Sequence, residues 1–193
     1  MMPDDLSSPA GVSTADTDVE TLFRNTSGFQ PMSAVLRIAW AANFGVARIM
    51  NNVSTSVSAV LTPAGLDKSS GIITAYYLKD PTDPQWAKDP AVLFFQTWLK
   101  KYNPGAEPND VLNVYGYTLA ANLVYVLKTC GDDLTHENIM KVAANMKDVE
   151  LPMLMPGIKV NTSPTDFYPV GQMRLAKFDG KRWITFGDLI SGR

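Results

Sequence analysis

The 193-residue sequence is poor in the groups that most often announce a chemistry. It has one cysteine, Cys130, and one histidine, His136, so it holds neither the pair an internal disulfide needs nor the His/Cys cluster of a metal centre. It has no excess of positive charge: 17 basic residues against 19 acidic ones give a net charge of −2, which excludes the basic face that nucleic acid requires and disfavours anionic membranes. It has no unbroken apolar run of the roughly 18 to 20 residues that span a bilayer. Its first 20 residues, MMPDDLSSPAGVSTADTDVE, carry acids where a signal peptide has a basic region and lack an apolar segment, so no export signal is expected in the chain as written. A nucleophile elbow and a glycine-rich phosphate loop are likewise missing, and enzymatic activity is not expected.

What is there is enough apolar material, 46% of the residues, to build a core. The stretch Asp110 to Gly131 dominates. Leu112, Tyr115, Leu119, Leu123, Val126 and Leu127 recur at helical spacing and are expected on one inward face. Asn109 and Asp110 offer oxygens to the first-turn amides, and Gly131 can adopt the conformation that ends a helix. Gly116, Ala120 and Ala121 leave the rest of the surface small enough for close approach, as in a helix sandwiched inside a domain.

Upstream, residues 1–28 are too polar to order themselves and predict a loose leader. Pro31 to Asn43 predicts a helix with Met32, Val35, Leu36, Ala39 and Trp40 on its stripe. Val46 to Met50 reads as a short buried strand running into the polar turn Asn51-Asn52-Val53-Ser54-Thr55-Ser56. A polar turn at the carboxyl end of a parallel strand is where open α/β sheets place ligands. Ser56 to Ala64 begins another helix closed by Gly65, and Gly71 to Leu78 is β-branched and aromatic, hence a strand. Asp89 caps a helix beginning at Pro90, with Val92, Phe95, Trp98, Leu99 and Tyr102 inward. Thr135 caps HENIMKVAANMKD, with Ile139, Val142, Ala143 and Met146 inward. Gly157 to Asn161 predicts a strand, and MRLAKFDGKRWITF a hairpin about a type I′ turn at Asp179-Gly180.

The combination of YGY, CGDDLT, MPGI and NTSPTD in this order, with NNVSTSVSAVLTPAGLDKSSGIITAYYLKDPTDPQW before it, resembles the type I periplasmic substrate-binding proteins of ABC transporters, in the branched-chain amino acid (Leu/Ile/Val-binding) group. The likeness runs over about residues 29–192. It implies an α/β fold that is part of a two-lobe flytrap, matching the C-terminal half of such a protein with the N-terminal half not represented. Residues 29–70 would lie in the C-terminal lobe, 71–150 in the N-terminal lobe with the central helix, and 151–193 would return through the hinge to the C-terminal lobe. Gly71 to Tyr76 and Leu151 to Gly157 are then expected side by side as connections. The implied role is a periplasmic solute-binding component handing a small organic metabolite, an amino acid or an aromatic or other organic acid, to a membrane permease. A ligand-sensing receptor module and a remnant without function are alternatives.

The expected ligand-binding residues are Asn51, Asn52, Ser54 and Thr55, as short polar donors, with Tyr115 and Tyr117 stacking or hydrogen-bonding from the central helix. Each also has a plain structural reading: a helix cap and turn for the first four, core aromatics for the tyrosines. The family's amino-acid binders place a carboxylate in the loop matching Asn51 to Thr55, where this chain has Val53, which argues against an α-amino acid. For Tyr76 and Tyr77 ordinary sheet packing is favoured over a hinge-lining role. His136 is expected on the surface, Cys130 buried, and Asp80, Asp83, Asp132 and Asp133 in loops or caps. No cofactor is expected. Self-association through apolar surface left uncovered is.

Overall fold

The computed structural model describes residues 48–192. The leader, the helix expected over Pro31 to Asn43 and the first residues of the strand expected from Val46 fall outside the described residues.

Among the described residues four strands form one mixed sheet in the order β1-β2-β3-β4. Strand β1 (Ile49–Met50) pairs in parallel with β2 (Ile73–Tyr76); β2 pairs antiparallel with β3 (Gln172–Phe178), and β3 with β4 (Trp183–Ser191). A parallel neighbour needs a crossover, and residues 57–69 supply it as short helical turns. The first is wide, with Leu61 N–H reaching Ser56 O at 3.1 Å, so the helix expected from Ser56 starts irregularly. It still closes at Gly65, whose φ of +102° an L side chain rarely adopts. One face of the sheet buries Met50, Thr74, Tyr76, Ala176, Phe178 and Trp183 in one core with Val60, Leu61 and Ala64. On the other face Ile49, Ile184 and Phe186 are exposed, Ile49 to 80%, so of the described part of the expected buried strand Met50 is buried and Ile49 is not.

Helix α1 (Pro90–Tyr102) begins as expected: the Asp89 carboxylate accepts from Ala91 N at 2.9 Å and Val92 N at 3.2 Å. Val92, Phe95 and Leu99 are buried, but Tyr102 at the end of the stripe is exposed. Helix α2 (Val111–Cys130) is capped by Asp110, which accepts from Leu112 N at 3.0 Å, and ends at Gly131 with φ +63°. Its buried face meets the expected one at Val126 but is otherwise shifted. Val111, Val114, Thr118, Val126 and Cys130 face the core, whereas Tyr115, Leu119 and Leu123 stand about half exposed. An α2 apolar on both sides can bury either stripe, and the neighbours present in this chain cover only one.

Helix α3 (His136–Ala143) carries Thr135 as its cap and stops before Asn145, shorter than its pattern suggests, although Met146 beyond it is buried. Gly157 to Asn161 does not become a strand: Val160 makes isolated bridges to Val149 and Val170. The β3–β4 hairpin forms, but Asp179 lacks the positive φ a type I′ turn requires. A four-residue loop, 179–182, closes it instead, with the Asp179 carboxylate accepting from Lys181 N and Arg182 N.

Of the two segments expected side by side, Gly71 to Tyr76 lies instead between β1 and β3, and Leu151 to Gly157 pairs with the residues just past it. Lys79 N donates to Met153 O and Met155 N to Tyr77 O, both at 2.9 Å, around a Leu78–Leu154 bridge. A largely buried polar knot surrounds this crossing. Lys79 Nζ lies 2.9 Å from Asp89 Oδ2 and 3.0 Å from Pro152 O, and Arg182 Nη1 reaches Asp83 Oδ1 at 3.2 Å.

Candidate ligand site

Parallel pairing of β1 and β2 sets their carboxyl ends side by side, so the loop 51–55 and residues 77–78 emerge together. The loop is shaped from within. Asn51 Oδ1 accepts from Ser54 N at 3.1 Å, Thr55 Oγ1 donates to Asn52 O at 2.6 Å, and Trp183 Nε1 donates to Thr55 O at 3.0 Å. Ser56 then donates to Asp110 Oδ1 at 3.0 Å, which ties the loop to the cap of α2 and brings the first turns of that helix across it.

The result is a cavity of about 230 Å³. Asn52, Val53 and Thr55 form its loop wall, Tyr76, Tyr77 and Leu78 its strand wall, and Val111, Leu112 and Tyr115 its helix wall. A second cavity of about 220 Å³ continues from it along Thr118 and Leu119 of α2 towards Leu154, Val170 and Met173. Asn52, Tyr77 and Tyr115 line both and form the neck between them.

Of the six residues expected to bind ligand, the structure brings Asn52, Thr55 and Tyr115 to one cavity. Asn51, Ser54 and Tyr117 are not in its wall. Asn51 is exposed and serves as the cap of the 52–54 turn, and Ser54 is buried beneath that turn. Tyr117 points the other way, 5.3 Å from Phe95 and 5.2 Å from Trp98 in edge-on ring contacts, and burial raises its hydroxyl pKa. The two-residue step from Tyr115 turns the side chain about 200° around the helix, so the YGY motif cannot present both rings to one cleft.

Tyr76 and Tyr77, read as packing residues, both line the cavity. Tyr76 also packs: its ring stacks on Trp183 and its hydroxyl donates to Asp80 Oδ2 at 3.2 Å. Burial, then the Asp80 charge, pushes the Tyr76 hydroxyl well above the ordinary tyrosine value, and burial likewise raises Asp80, partly offset by its bonds from Thr82. Tyr77 is raised by burial and then by nearby Tyr115, while a hydrogen bond with Asn52 opposes the rise. At neutral pH both hydroxyls keep their protons and can donate. The signal available in the sequence was the position of the two tyrosines at the carboxyl end of a strand, where α/β sheets take ligands. Cys130 is buried and His136 exposed, and among the described residues no group of His, Cys and acidic side chains could hold a metal.

No protein-family model matches the chain, and no curated protein sequence does either. Solved structures do. A branched-chain amino acid ABC transporter protein from Thermus thermophilus with bound valine aligns at a TM-score of 0.67 and 14% identity, over 84% of this chain and 44% of that one. A possible leucine/isoleucine/valine-binding protein from Rhodopirellula baltica aligns at 0.61 and 15%, over 83% and 41%. An ABC transporter substrate-binding protein from Aeropyrum pernix aligns at 0.64 and 9%, over 92% and 48%. The chain therefore has the α/β fold of ABC-transporter substrate-binding proteins, and it spans less than half the length of these structures.

Proposed function

We propose that the chain is part of a solute-binding component of an ABC transporter, acting in the periplasm beside a membrane permease and holding a small organic metabolite in the cleft between the 51–55 loop, the end of β2 and the start of α2. The observation that carries this reading is the convergence of Asn52, Tyr77 and Tyr115 at the neck of a largely apolar cavity, at the carboxyl ends of parallel strands where α/β sheets take ligands. In this reading the sheet belongs to one lobe, α1 to α3 to the other, and the paired segments 77–79 and 153–155 cross between them. The role is binding rather than catalysis, since nothing in the cavity wall pairs a nucleophile with a base. Among the described residues no helix is long and apolar enough to cross a membrane, so docking on a permease would use the protein surface.

A flytrap cleft takes its affinity from donors on both sides of the ligand. The chain spans less than half of its structural neighbours, so on its own it is expected to bind weakly. Protein-observed NMR titration of the 193-residue chain with valine, leucine, benzoate and 3-methylbutanoate tests the reading. The expected result is saturable shifts at Asn52, Tyr77 and Tyr115 that end well above micromolar concentration. Micromolar binding by a stable monomer would refute the one-wall description, and the absence of any shift at those residues with every compound would refute the solute-binding reading.

A further inference from the structure

We infer that the second cavity is a subsite for the far end of an elongated ligand, and that Asn122 binds a hydroxyl there. The inference rests on the proposed site and concerns the length and chemistry of what it holds.

Asn122 stands on α2 seven residues after Tyr115, which places it about 10 Å further along the same face of the helix. Thr118 and Leu119 lie on the stripe between them, and all four side chains line the second cavity. The Asn122 carboxamide is left unsatisfied. Its Oδ1 is closed to water, yet no donor among the described residues reaches it. The hydroxyl one turn earlier does not meet it, because Thr118 Oγ1 donates back to Val114 O at 2.7 Å. Buried polar atoms nearly always have a partner, and leaving one without costs stability. An orphaned acceptor in the wall of a cavity is explained if its partner enters with the ligand.

The acceptor sets the chemistry of that partner. A carboxylate or carbonyl has no proton to give and would meet Oδ1 oxygen to oxygen. An ammonium brings three N–H groups to one acceptor and leaves the others against Leu151, Leu154 and Val160. A hydroxyl brings one donor for one acceptor. At the other end Asn52 and Tyr115, at the neck that both cavities share, can donate to a polar head group. A ligand that satisfies both ends therefore has its head at the neck, an apolar body along Leu119, and a hydroxyl about two helical turns from the head.

7-Hydroxyheptanoate has this shape, and octanoate differs from it only in a methyl group where the hydroxyl stands. In paired NMR titrations of the 193-residue chain, the hydroxy acid should shift Thr118 and Asn122, the Asn122 side-chain amide included, together with Asn52 and Tyr115. It should also bind about tenfold more tightly than octanoate, the factor that one hydrogen bond to an otherwise unsatisfied buried group supplies. Asn122→Leu should abolish this preference. Because the change replaces an unsatisfied acceptor with an apolar side chain of similar size, the melting temperature should hold or rise. Octanoate binding as tightly as the hydroxy acid to the parent chain, shifts that stop at Asn52 and Tyr115, a preference that survives Asn122→Leu, or a clear fall in the variant's melting temperature would each overturn the inference and leave the solute-binding reading intact. No shift with either acid would also overturn it, and the solute-binding reading would fall with it only if valine, leucine, benzoate and 3-methylbutanoate likewise shifted none of Asn52, Tyr77 and Tyr115.

Discussion

Leu119 and Leu123 lie four residues apart on α2, 53% and 55% exposed, beside the half-exposed Tyr115 and the small residues Gly116 and Ala120. A helix face this apolar has no reason to remain in water, and in the purified chain a second copy is the partner at hand. Full burial of a leucine is worth about 1.5–3 kcal/mol, so covering the remaining half contributes roughly 1 kcal/mol per side chain. Two leucines from each of two copies then sum to about 4 kcal/mol, close to a thousandfold in dissociation constant. The perturbation is the double change Leu119→Glu and Leu123→Lys. It puts an acid four residues before a base, the arrangement that supports an isolated helix, so α2 itself should not suffer. Sedimentation-velocity runs across a concentration series should show the parent chain associating and the variant monomeric over the same range. Thermal melts should differ little, because exposed substitutions of this kind usually change stability by no more than about 0.5 kcal/mol. A variant that associates as tightly as the parent would refute the assignment of that face, and one that unfolds would show that both stripes of α2 were already in use.

Two further expectations concern the polar knot at the crossing. The raised pKa of buried Tyr76 means the unfolded chain loses this proton first as pH climbs, so the stability it contributes is present below the ordinary tyrosine range near pH 10 and is lost as pH rises through the higher folded value. Urea midpoints should therefore fall on the alkaline side, and less steeply in Tyr76→Phe, with Tyr77 and Tyr117 supplying the remaining slope; an unchanged slope would contradict the burial. Asp89 caps α1 and pairs with Lys79, itself buried, so Asp89→Ala should cost about 3 kcal/mol and Asp89→Asn, which keeps the cap oxygen, clearly less. Equal losses in the two variants, measured by chemical denaturation, would show that the ion pair adds nothing to the cap.

The ends of the elements were legible because they are set by local chemistry. Asp110 and Gly131 bracket α2, Asp89 and Pro90 start α1, and Gly65 stops the crossover, each through bonds or dihedrals within a few residues. The placement of the 51–55 loop beside the start of α2 was expected from the carboxyl-end rule together with the cleft that the family resemblance implies. Periodicity could not say which stripe of α2 is covered, since Val114 and Leu119 are equally apolar and only the neighbours choose between them. Nor could it separate Tyr115 in the cavity from Tyr117 in the core, or show that Asp80 lies buried under the Tyr76 hydroxyl. Those outcomes depend on which distant segments, Phe95 and Trp98 on one side and Asn52 and Tyr77 on the other, reach the helix, and such contacts are fixed by packing across the chain rather than by any run of residues within it.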